Sequence, residues 1–156
     1  SQSLLISSLV FLLSLAAAVA LIALPFAGRT ADGTATVAEG AALPAEPFSV
    51  ARLAALRGEG RAVLVNLTAA WCVSCLYNEQ VALSTASVAA AFKTTNTAYV
   101  VGDWTNQNPE ISKLLKEHGR EGVPLYLYYP PGGGSPAVLP QILTESMILE
   151  TLGAPK

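Results

Sequence analysis

Apolar positions along this chain fall into two regimes. Over residues 4–27 they are almost continuous, broken only by Ser7, Ser8 and Ser14 before Pro25, and a run of about 20 such residues is long enough to cross a bilayer as a helix. From residue 48 onward they come in short groups with helical or extended spacing. Phe48, Leu53 and Leu56 mark one face of a helix over 48–57, which Gly58-Glu59-Gly60 stops. Ala62-Val63-Leu64-Val65-Asn66-Leu67 is short, nearly all apolar and rich in branched side chains, the pattern of a central strand buried on both faces. A helix is expected after Cys75, through Leu76, Tyr77 and Glu79 to about Leu83, then a second piece capped by Ser84 or Thr85 and ending near Phe92. The pattern continues with a strand over 97–101 and a helix opened by Asn108-Pro109-Glu110 and closed by His118-Gly119. A strand over 125–129, a turn at 130–134, a short strand over 137–139 and a helix over 144–152 complete it. Strands alternating with helices predict an α/β fold, a sheet with helices on both faces.

Between the two regimes, residues 29–46 are mostly Ala, Gly, Thr and Pro with scattered acids (Asp32, Glu39, Glu46), and neither period persists. The expected organisation is therefore a transmembrane helix over 1–28, a flexible linker over 29–46 and one folded domain over 47–156. A secretory signal peptide fits the first segment less well, because it requires a positively charged start and an apolar core of about 7 to 15 residues. The chain opens on serine rather than methionine, as a fragment or a processed form would, and whether further membrane helices precede it stays open. Such a tether would raise the effective concentration of the domain near a membrane-embedded partner.

Composition sharpens this division. Mean hydropathy is +0.46 and charged residues make up 13% of the 156. No ionisable side chain occurs before Arg29, so all nine Lys and Arg and all eleven Asp and Glu belong to the linker and the domain. The net charge of −2 excludes a nucleic-acid binder, which would carry a basic stripe.

The chemistry concentrates at Trp71-Cys72-Val73-Ser74-Cys75, which holds both cysteines of the chain at the junction of a predicted strand and a predicted helix. Two cysteines with two residues between them, in that context, read as a dithiol that cycles with a disulfide. Cys72 opens the helix, where unpaired N–H groups and the helix dipole favour an anion, so its thiolate is the nucleophile and Cys75 the resolving thiol. A purely structural disulfide would close a very small loop, where the chain-entropy gain is least. Zinc would need more ligands than two cysteines and one histidine supply, and a haem attachment site would need histidine where Leu76 stands. No cofactor or metal is expected. His118, at a helix end, reads as a surface residue, and Asp103 and Trp104 follow a strand where they can line the rim of the site.

The order of elements resembles the thioredoxin fold. More closely, the chain from about residue 62 onward resembles the C-terminal domain of the DsbD family of transmembrane thiol:disulfide interchange proteins. The motifs that carry this are Val65-Asn66-Leu67-Thr68-Ala69-Ala70-Trp71-Cys72-Val73-Ser74-Cys75, Tyr77-Asn78-Glu79, Asp103-Trp104-Thr105, Gly122-Val123-Pro124-Leu125-Tyr126 and Leu139-Pro140-Gln141. The resemblance implies a thioredoxin-like domain with a central mixed sheet. It also implies a protein-disulfide reductase that receives electrons from a membrane-embedded donor domain and passes them to oxidised periplasmic proteins, at the bacterial inner membrane with the soluble domain facing the periplasm. For single residues it implies that Trp71 covers the disulfide, that Pro124 is cis and packs against the cysteines, and that Val123 offers its backbone to a bound partner. Where thioredoxins and some DsbD proteins place a buried aspartate, six residues before the first cysteine, this chain has Asn66, which cannot take the proton of Cys75. Glu79, four residues after Cys75 and seven after Cys72 on the same helix face, is the expected substitute. Two other readings stay open: a free-standing membrane-anchored thioredoxin-like protein of cytochrome c maturation, and a redox-inert interaction module with a structural disulfide.

Overall fold

A computed structural model of the chain describes residues 43–154. The expected transmembrane helix and nearly all of the expected linker lie outside the described residues. Among the described residues no helix is long and apolar enough to cross a membrane.

The described residues form five strands and five α-helices, most of them laid out by local signals that the sequence carries. Strand β1 (Ala45–Pro47) leads into α1 (Val50–Gly58), whose first turn is capped by the Ser49 hydroxyl accepting the Arg52 N–H at 3.0 Å. Strand β2 (Val63–Thr68) feeds α2 (Val73–Asn78), which runs directly into a π-helical turn (Glu79–Leu83). Thr85 caps α3 (Ala86–Thr94) through the Val88 N–H, and Asn108 caps α4 (Pro109–Glu117), with proline in the first turn. Between them runs β3 (Ala98–Asp103), and after α4 come β4 (Leu125–Tyr129) and β5 (Ala137–Val138). Thr144 caps α5 (Glu145–Leu152), and Gly153, in the left-handed region at φ 68°, ends it.

The sheet order is β1-β3-β2-β4-β5. β1 and β2 lie parallel to β3, whereas β4 runs antiparallel to both β2 and β5, so the sheet is mixed. Period-2 alternation sends the side chains of β2 to opposite faces. Val63, Val65 and Leu67 pack with Leu53 and Leu56 of α1 and Ile111 and Leu115 of α4. Leu64 packs on the other face with Leu83, Val88, Phe92, Ile148 and Leu152. Helices therefore cover both faces, and β2, at the centre, delivers its C-terminal end to the cysteine pair.

The structure departs from the sequence pattern in three places. Residues 45 and 46, expected at the end of the linker, form β1 with Pro47; three residues on an exposed edge show no periodicity, and the pairing comes from the backbone of β3. The helix after the cysteines changes to π-helical geometry at Glu79. In β4, whose Tyr126, Tyr128 and Tyr129 read in the sequence as those of a half-buried strand, Tyr126 and Tyr129 are both buried and only Tyr128 is half-buried, because that strand sits inside the sheet rather than at its border.

Candidate active site

Cys72 is the N-cap residue of α2, placed there by its extended backbone and by a turn in which its N–H bonds to the Ala69 carbonyl at 3.0 Å. Its sulfur accepts the Cys75 N–H at 3.3 Å and stands 3.5 Å from the Ser74 hydroxyl. Cys75 is completely buried one turn further on, and the two sulfurs are joined in a disulfide. This is the arrangement that thiol–disulfide exchange needs. The outer sulfur is placed where helix N–H groups stabilise a thiolate, and the inner sulfur is within bonding reach of it.

Cys72 is itself only 5% exposed, and it reaches the surface as part of the lining of a groove. Trp71, Cys72, Val73, Ser74, Tyr77, Val123 and Ile142 line an open groove of about 630 Å³ in which no lining side chain is charged. Trp71 is 56% and Val73 79% exposed, so the groove presents adjoining apolar surface to solvent. Trp71 thus borders the disulfide with most of its ring in solvent. Its indole N–H donates to the Thr105 carbonyl at 3.3 Å, and its ring centroid is 6.0 Å from that of Trp104. Thr105 is the brace of this corner: its hydroxyl accepts the Ala70 N–H at 2.8 Å and donates to the Asp103 carboxylate, which the Thr105 N–H also reaches. The hydroxyl bond, then the N–H bond, hold the Asp103 carboxyl below its usual range. Asp103 and Trp104 therefore support the rim from the end of β3.

The Val123–Pro124 peptide bond is cis. Val123 packs against Ala69, Cys72 and Cys75, and among the described residues no backbone group bonds to its N–H or carbonyl. Trp71, Cys72, Cys75, Val123 and Pro124 are thus brought together at one end of the sheet.

Asn66 and Glu79 are placed elsewhere. Asn66 is fully buried in β2; its Nδ2 donates to the Tyr99 hydroxyl at 2.8 Å, while its Oδ1 has no partner among the described residues. Burial pushes the Tyr99 phenol well above its ordinary range; the Asn66 bond pulls it down and the charge of Glu79 pushes it further up. Glu79 is half-buried and shares with Tyr99 the lining of a separate pocket of about 240 Å³ that contains neither cysteine. Its charge also raises the Tyr126 phenol, after the larger effect of burial.

Three residues of the site carry no signal strong enough to single out in the sequence. Asn78 is a fully buried amide in a helix, and although it falls in the Tyr77-Asn78-Glu79 motif nothing there sets it apart from its neighbours. Tyr99 looks like an ordinary strand aromatic until its hydroxyl is seen against Asn66. Ile142 follows no period, because it stands in a loop.

Among curated proteins none matches this chain. Among solved structures, the C-terminal domain of Neisseria meningitidis DsbD in the reduced form is similar at 24% identity, with a TM-score of 0.56 over 69% of this chain and 97% of that one. The same domain in the oxidised form aligns at 25% identity and a TM-score of 0.54, over 70% and 95%. A thioredoxin from Thermus thermophilus aligns at 22% identity and a TM-score of 0.55, over 71% and 85%. The family described as thioredoxin-like matches residues 45–131. With more than half of its length inside that match, and the cysteine pair at the N-terminus of α2 as the geometry requires, the chain belongs to the thioredoxin-like family.

Proposed function

We propose that the chain is a protein-disulfide reductase that takes electrons from a membrane-embedded donor domain and delivers them to oxidised proteins of the bacterial periplasm. The single observation that carries the exchange chemistry is Cys72 at the helix N-cap, its sulfur facing an uncharged open groove with Cys75 behind it. The direction and the place rest on the apolar segment 4–27 and on the likeness to the DsbD C-terminal domain.

In the reducing turn, the Cys72 thiolate attacks one sulfur of the partner's disulfide. A Cys72–partner bond forms, the partner's own S–S bond breaks, and the expelled partner sulfur takes a proton from solvent. Cys75 then loses its proton and attacks the Cys72 sulfur; the mixed disulfide breaks, and the second partner sulfur is released and protonated. Two electrons have moved to the partner, and the chain is left with the Cys72–Cys75 disulfide seen here. A dithiol of the donor domain reverses the sequence and restores the reduced pair. Trp71 and Val123 border the reacting sulfur, and Val123 offers free backbone groups to an extended partner segment.

Replacing Cys75 with serine stops the second step and should leave partners covalently attached to Cys72. Mass spectrometry of the trapped species is expected to find a membrane-domain cysteine on the donor side and a periplasmic protein on the acceptor side. Absence of any trapped species overturns the proposal. So does a Cys72–Cys75 pair that stays oxidised in redox buffers well below about −300 mV, the behaviour of a structural disulfide.

A further inference from the structure

The Asn78 side chain is fully buried on the inner side of α2, three residues after Cys75. Its Nδ2 donates to the Gln141 carbonyl at 2.7 Å and to the Tyr126 hydroxyl at 2.9 Å, and its Oδ1 accepts the Leu143 N–H at 3.0 Å. One amide thus uses both of its polar atoms on a distant stretch of chain, 63 to 65 residues later. The two residues it holds, Gln141 and Leu143, flank Ile142. Leu143 points into the core, whereas Ile142 is 54% exposed and lines the groove together with Trp71, Val73 and Tyr77. A buried amide with three good bonds is costly to disturb, because each group left behind would be desolvated and unpaired. The loop is therefore pinned to the redox helix at the point where its apolar residue turns outward.

We propose that Asn78 is a positioning residue that fixes the 140–143 loop against α2, so that Ile142 forms the far wall of the groove and selects partners with an apolar side chain beside their disulfide. This deepens the reductase reading and rests on it. The occupant is an extended segment of an oxidised protein. Its backbone meets the free N–H and carbonyl of Val123, and its uncharged neighbour residue lies between Ile142 and the exposed aromatic and aliphatic side chains of the helix. A groove with no charged lining residue gives a charged neighbour nothing to pair with on burial.

The test uses two model peptides, each with one intramolecular disulfide and alike except for Leu or Ser next to the reacting cysteine. The rate constants for their reduction by the full-length reduced chain in mild detergent are compared as a ratio, so that a general loss of active protein divides out. The unaltered chain is expected to prefer the Leu peptide about tenfold or more, the range for one apolar group in an apolar pocket. Ile142→Ser and Asn78→Ala should each bring the ratio close to one. A ratio near one for the unaltered chain, or a preference that survives Ile142→Ser, overturns the proposal. Because Asn78→Ala could fail to fold, the Leu143 amide of the unaltered chain is followed separately by hydrogen exchange. Slow exchange supports the Asn78 bond, and exchange at the rate of an open loop overturns it. Failure of the reduced chain to reduce hydroxyethyl disulfide, a probe too small to need Ile142, would instead remove the exchange chemistry itself, and the groove assignment with it.

Discussion

At the scale of single residues, the unusual position is Asn66. It occupies the centre of the sheet on the side facing α2, fully buried, with one polar atom bonded to Tyr99 and the other unpartnered among the described residues. The raised Tyr99 phenol shows how strongly this spot disfavours charge: burial is the main cause, and the nearby Glu79 adds to it. A neutral amide suits such a place, and a carboxylate would not. In Asn66→Asp the new carboxyl would have a folded-state pKa above its unfolded value of about 3.9. The folded state would then bind more protons than the unfolded one as pH rises toward neutral, so stability must fall with rising pH. Urea unfolding at pH 5 and pH 8 should show the variant losing about 1–3 kcal/mol between the two, since each tenfold difference in proton affinity between folded and unfolded chains is worth about 1.4 kcal/mol. The unaltered chain should change far less. Equal losses for both chains would mean that the site accepts a charge after all.

At the scale of elements, β2 and β3 leave no room for a side chain at one pair, Leu67 and Gly102, which face each other in register. A Cβ built on Gly102 would lie 2.6 Å from a Leu67 methyl, 3.1 Å from a methyl of Ile111 in α4 and 3.2 Å from the Phe48 Cβ. The absence of a side chain is what lets α4 and the entry to α1 close over this end of the sheet, just before Asp103 and Thr105 brace the Trp71 corner. Gly102→Ala should therefore destabilise the domain by about 1–3 kcal/mol through overpacking, read as a lower urea midpoint with unchanged slope. An unchanged midpoint would show that the contact relaxes freely. Elements of this kind are legible in the sequence where local physics decides them. Thr85 and Asn108 announce their helices because a capping hydroxyl or amide acts within three residues. Val63 to Leu67 announces its strand because both faces are buried. β1 leaves no such trace because its support is the backbone of β3, distant in sequence, and neither does the π-helical turn, which no period in the sequence marks. The site divides in the same way. Cys72, Cys75, Trp71 and Pro124 lie in motifs that announce their roles, whereas Asn78 and Thr105, though inside motifs, and Tyr99 and Ile142, outside them, acquire their roles from residues about 30 or more positions away.

At the scale of the whole molecule, the direction of electron flow is a statement about stability. The oxidised and reduced chains differ by one bond, and whichever form folds more stably pulls the redox equilibrium toward itself. The disulfide joins residues three apart in sequence, so even this small loop removes unfolded-state entropy worth about 2 kcal/mol in the chain-entropy account. Against it, the reduced form gains a thiolate at the N-cap of α2, where the Cys75 N–H and the helix dipole offer about 0.3–1 kcal/mol. The balance favours the oxidised form by about 1–2 kcal/mol. At about 30 mV per 1.4 kcal/mol, this places the chain about 20–40 mV below an unfolded peptide with the same two cysteines, on the reducing side. Urea unfolding of the two forms, one in ferricyanide and one in excess dithiothreitol, should show the oxidised chain as the more stable. A more stable reduced form would make the domain an oxidant and would reverse the electron flow proposed for it.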